Sequence, residues 1–118
     1  MNHLSELDAF VSPSFTTYVD SIQNGSLANE VLVHSARELV SLFSKSDNKK
    51  NVFEFEGHSF RLDKILLAIL EEAHTCGGDS GTRYAASTIL AAGHFPDATD
   101  MLRAVAIIWV TRFLFICE

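Results

Sequence analysis

Residues 52–73 read Val-Phe-Glu-Phe-Glu-Gly-His-Ser-Phe-Arg-Leu-Asp-Lys-Ile-Leu-Leu-Ala-Ile-Leu-Glu-Glu-Ala. In the first half, Phe53 and Phe55 alternate with Glu54 and Glu56, the period of a strand with one buried face. Gly57 turns the chain, so that Phe55 faces His58 and Phe53 faces Phe60 across a hairpin. The period then changes. With Asp63 as the cap, Ile65, Leu66, Ile69, Leu70 and Ala73 recur at helical spacing. A lone two-stranded hairpin is marginally stable in water, so this one must lie against helices.

The segments on either side are also helical. Leu4, Leu7 and Phe10 form a short amphipathic segment, and Ser12-Pro13 then reads as a cap and first helical residue. Phe15, Tyr18, Val19 and Ile22 share one face of the helix that follows, with Asn24-Gly25 as its stop and Gly25 left-handed at the C′ position. Ser26 caps a longer helix to about Ser44 whose buried stripe is Ala28, Leu32, Ala36, Leu39 and Phe43, widened by Val31 and Val40. The polar run from Lys45 to Asn51 is a loop. Beyond the hairpin, Cys76-Gly77-Gly78 ends one helix and Asp79 or Ser80 opens the next, which carries Tyr84, Ala85, Ile89 and Leu90 to a stop at Gly93. A last helix runs from Thr99 to about Phe115 and is apolar on nearly every side. The expected fold class is mainly α, a compact bundle of about five to six helices with one short β-hairpin. With 118 residues it forms one small helical domain spanning 1–118.

Composition excludes several functions. Apolar residues make up 47% of the chain and charged residues 20%, which argues for one packed core rather than disorder. The net charge of −6 leaves no basic stripe beyond Lys45, Lys49 and Lys50, so neither nucleic acid nor an anionic membrane surface is an expected partner. The apolar run Ala104–Ile116 is shorter than the ~20 residues of a membrane span and is interrupted by Arg112. Two cysteines, Cys76 and Cys117, are too few for a disulfide framework, and free thiols are expected. The first residues carry no basic n-region and no apolar h-region of a secretory signal. Both features point to a reducing, intracellular setting, cytoplasmic or nuclear.

Candidate chemistry is sparse. Gly78-Asp79-Ser80-Gly81 resembles the nucleophile motif of chymotrypsin-like proteases, but that motif belongs to a double β-barrel about twice this length. Here it reads as a helix–turn–helix connection. His74 and Cys76 lie two apart behind Glu71 and Glu72, without the second ligand pair that zinc requires. No metal site and no cofactor are expected. A thiolate beside a histidine is a possible nucleophile, while a buried, inert thiol is the plainer reading. Gly78, Ser80 and Arg83 have the makings of an anion cradle at a helix start. An i, i+4 ion pair of Asp79 with Arg83 accounts for the same residues structurally. His3, His34, His58 and His94 are scattered, and Glu54 with Glu56 shares the solvent face of a strand.

A resemblance covers a little over half of the chain. Phe53-x-Phe55-x-Gly57-x-Ser59-Phe60-x-Leu62, Leu66-Leu67, Gly81-Thr82-Arg83-Tyr84-Ala85-Ala86-Ser87-x-Ile89, Trp109 and Leu114-Phe115 occur in that order. This pattern resembles the region preceding the nuclease module in mushroom-type fungal HNH-nuclease-domain proteins. The catalytic histidines and asparagine of that family would follow this region, and none is carried over to a residue of this chain. The resemblance implies an accessory domain that acts by binding a partner chain or another copy of itself.

Three functions compete on these residues. The first is a non-catalytic module that self-associates, or binds another protein, through its last helix and aromatic hairpin. Nine phenylalanines, six of them from Phe53 onward, supply the apolar surplus. The interface candidates are Val105, Ile108, Trp109, Val110 and Phe113, with a homodimer as the expected assembly. The second is a small apolar-ligand binder using a pocket between helices. The third is a small enzyme using His74, Cys76 or Arg83.

Overall fold

The computed structural model describes residues 12–46 and 51–116. Helix α1 spans Pro13–Gln23, α2 spans Asn29–Ser46, strands β1 and β2 are Val52–Phe55 and His58–Arg61, α3 is Leu62–Gly93, and α4 is Ala98–Ile116. The amphipathic segment around Leu4, Leu7 and Phe10 lies outside the described residues. Four helical elements are found among the described residues where five to six were expected; α3 consists of two helical segments that meet at a kink at Gly78, the break expected at Cys76-Gly77-Gly78.

Helix α1 starts as its sequence dictates. Ser12 is extended (φ −63°, ψ 144°), its Oγ accepts from the Phe15 N–H over 3.3 Å, and Pro13 occupies the first turn. Phe15 and Val19 are buried, while Tyr18 lies at the edge, its ring centroid 4.3 Å from that of His94. Helix α2 begins at Asn29 rather than after Ser26, and its buried positions are Leu32, Ala36 and Val40. Ala28, expected in that stripe, precedes the helix and is exposed.

The hairpin has the register its alternation dictates. Phe53 pairs with Phe60 and Phe55 with His58, and the Phe53 and Phe60 rings stack with centroids 5.6 Å apart. The two turn residues both have positive φ, 53° at Glu56 and 77° at Gly57, the pattern of a tight turn matched to strand twist. The inner face, Phe53 with half-buried Phe55 and Phe60, packs on the helical core. The entry to α3 is capped from a distance: Asn51 Oδ1 accepts from the Asp63 N–H at 2.8 Å, and the Asn51 carbonyl accepts from the Leu62 N–H at 2.6 Å. Asn51 thus does the work expected of Asp63, which lies inside the first turn.

Helix α3 is the hub against which α1, α2 and α4 all pack. It is not straight. Gly78 sits at φ 61°, ψ −147°, where a residue with a Cβ is strained, and the helix changes direction there without a connecting loop. Gly81 is required for space instead: a Cβ there would collide with the Ala73 carbonyl oxygen of the preceding segment. Leu62, Leu66 and Ile69 before the kink, and Ala85, Ala86 and Ile89 beyond it, are all fully buried. Helix α4 supplies Met101, Leu102, Ala104, Val105, Ala106, Ile107 and Trp109 to the buried set. Over residues 101–109 the apolar side chains of α4 are thus mostly enclosed by its own fold. No described helix is long and apolar enough to cross a membrane.

Candidate functional site

The residue with the most elaborate surroundings is Arg83. Its Nε donates to the Gln23 carbonyl at 2.8 Å, Nη1 to the Leu27 carbonyl at 2.6 Å and to Asn29 Oδ1 at 3.0 Å, and Nη2 to the carbonyls of Gly25 at 3.0 Å and Ile22 at 3.5 Å. A guanidinium has five N–H donors in a rigid fork, and each has an acceptor here. The acceptors are the last carbonyls of α1 and those of the loop leading into α2, the end of a helix where backbone oxygens lack partners and a cation is favoured. Gly25 is consequently not the left-handed cap expected from the sequence, since the described glycines at positive φ are Gly57 and Gly78. Asn29 extends the network by donating from Nδ2 to the Asp79 carbonyl at 3.0 Å.

This arrangement corrects the anion cradle proposed for Gly78, Ser80 and Arg83. Gly78 makes the kink, Ser80 is exposed, and Arg83 turns to the α1–α2 connection with no N–H left for an anion. The expected ion pair of Asp79 with Arg83 is also replaced, because neutral carbonyls and Asn29 hold the guanidinium. Nothing local in the sequence reveals such a contact, as Arg83 and Gln23 lie 60 residues apart.

The other chemical candidates are engaged in local structure too. Thr82 Oγ1 donates to the Gly78 carbonyl at 3.0 Å and lies 3.0 Å from His74 Nδ1. With the hydroxyl proton committed to Gly78, the Nδ1–H of His74 is the donor, which leaves Nε2 as the ring's acceptor. Cys76 is disulfide-bonded, which overturns the expectation of free thiols; the chain's other cysteine, Cys117, lies outside the described residues. A disulfide withdraws the thiol argument for a reducing compartment and takes Cys76 out of service as a nucleophile.

His74 lines an open groove between α2 and the kinked part of α3. One hollow of about 350 Å³ is bordered by Asn29, Glu30, Val33, His34, Arg37, His74, Asp79 and Thr82. A neighbouring hollow of about 380 Å³ shares Val33, Arg37, His74 and Thr82 and adds Leu70, Glu71 and Thr75. His34 Nε2 lies 2.9 Å from Glu38 Oε1, one turn along α2, and both side chains are well exposed. Among the described residues, no three His, Cys, Asp or Glu side chains come together as a metal site would require.

The perturbed carboxylate is elsewhere, at the foot of the hairpin. Burial by itself pushes the Asp63 carboxyl up. Hydrogen bonds from Asn51, Arg61 and the Lys64 amide, with the Arg61 charge, outweigh burial and hold it below its ordinary value. Arg61 Nη2 lies 3.0 Å from Asp63 Oδ2, a contact that ties the end of β2 to the first turn of α3. This pair stabilises a junction.

Two of the five residues expected to form an interface on α4 are internal. Val105 and Trp109 are buried in the core of the chain, and Ile108 and Val110 are half-buried. The Phe113 side chain lies outside the described residues. Among the described residues, the large apolar side chains that remain exposed are Tyr18, Leu27, Val31, Leu42, Val52 and Leu67. Val31 and Leu42 lie eleven positions apart, three helical turns, and therefore share one flank of α2. That flank is opposite to the side carrying Val33 and Arg37, which faces the groove.

No family model matches the chain, and neither does any curated protein or solved structure.

Proposed function

We propose that the chain is a non-catalytic interaction module that self-associates, with its contact on the exposed flank of α2 rather than on α4. The observation that carries this reading is the exposure of Leu42, 67%, and of Val31, 46%, on the same side of one helix. The side chains with catalytic chemistry have structural roles that support it as well: Arg83 closes a helix end, Cys76 is disulfide-bonded, and His74 holds Thr82. The hollows described are open to solvent rather than enclosed, a poor match to a site that would bury most of a small apolar ligand. The likeness of residues 52–115 to the region preceding the fungal HNH nuclease module agrees with an accessory, binding role.

The magnitude of the contact sets its strength. Two chains pairing through Val31 and Leu42 remove from water the exposed parts of four apolar side chains, roughly 4 kcal/mol at ~1 kcal/mol each for side chains already partly shielded. The loss of overall motion on association costs about 4–15 kcal/mol. The gain reaches only the low end of that cost, so the association is weak and depends on concentration. Light scattering over a concentration series tests it. The mass is expected to rise from 13.0 kDa towards twice that value as the chain is concentrated, and a constant mass up to millimolar concentration would overturn the reading.

A further inference from the structure

We draw no further inference here: the strongest candidate, the open groove between α2 and the kinked part of α3 that His34, Arg37 and His74 share with Glu30, Glu71 and Asp79, carries nothing because its polar side chains are all exposed or half-buried and set carboxylates beside the Arg37 guanidinium, so that nothing in the structure selects a ligand.

Discussion

The Nε–H of Arg83 donates to the Gln23 carbonyl over 2.8 Å, so a side chain from the third helix closes the C-terminal end of the first. Four further bonds from the same guanidinium fix the connection between α1 and α2. Replacing Arg83 by alanine leaves these acceptors to water or without partners. With a bond from a charged donor worth about 1.5–3 kcal/mol, the expected loss is at least ~2 kcal/mol after partial rescue by solvent. Arg83→Lys retains the charge but not the fork, and is expected to recover less than half of that loss. Chemical denaturation of the two variants measures both effects. An Arg83→Ala midpoint equal to that of the wild type would show that the five bonds are not holding the connection.

The kink makes different demands on two glycines. Gly78→Ala places a Cβ on a residue at φ 61°, ψ −147°, a combination essentially reserved for glycine, at a cost of about 1–3 kcal/mol, but meets no neighbouring atom. Gly81→Ala drives a Cβ into the Ala73 carbonyl, a backbone atom that yields only if the two segments of α3 move apart. Gly81→Ala is therefore expected to be the more destabilising of the two in thermal denaturation. The opposite order would mean that the segments do not approach each other as described.

Much of this architecture is legible in the sequence, and the remainder has a common cause. The alternation of Phe53 and Phe55 around Glu54, with Gly57 as the turn, predicts the pairing of Phe53 with Phe60 that is found. Ser12-Pro13 predicts the start of α1, since both signals act within one turn. The features that escaped are those in which distant residues replace a local signal. Asn51 caps α3 in place of Asp63, and Arg83 caps α1 in place of a left-handed Gly25. At Gly77-Gly78 the sequence shows that the helix must break, but not that a single residue absorbs the break. The apolar surface of α4 is legible as a surplus, yet its period cannot distinguish a face turned to a partner from one enclosed by the chain. Among the site residues, His74 and Arg83 stood out for their chemistry, whereas their structural duties depend on contacts formed only in the fold.

Asp63 sets a pH dependence of known sign. Its carboxyl is held below the ordinary value of 3.8, so the folded state binds its proton less readily than the unfolded chain does. The stabilisation is fully present above the unfolded value and is lost as pH falls through the lower, folded value. Asp63→Asn removes this contribution. The difference in stability between the wild type and Asp63→Asn is expected to shrink as pH falls from 6 to below 3.8. A difference that widens on acidification would contradict the bonding around this carboxylate.

Ser87 offers a gain in stability. Its side chain is fully buried and its Oγ has no hydrogen-bond partner among the described residues. A buried hydroxyl without a partner is costly, and alanine is both close in size and the better helix former. Ser87→Ala is expected to hold or raise the thermal midpoint, by up to about 1 kcal/mol in stability. A clear loss in calorimetry would indicate a bond that the geometry does not show.

Cys76 is expected to resist alkylation until a reductant is added, because its sulfur is already bonded. Peptide mapping after iodoacetamide treatment, with and without prior reduction, reads this directly. Immediate labelling of Cys76 in the unreduced protein would restore the free thiol first expected.

The central claim is that α4 belongs to the core while the flank of α2 makes the contact. Sedimentation of two variants beside the wild type, with circular dichroism on the same samples, tests it most directly. Leu42→Glu places a charge on a side chain that is 67% exposed, and Val110→Glu places one on a half-buried residue of α4. The account predicts that Leu42→Glu stays folded and monomeric at concentrations where the wild type associates, whereas Val110→Glu loses helical signal. A folded, monomeric Val110→Glu together with a Leu42→Glu that associates like the wild type would contradict the account and return the contact to the last helix.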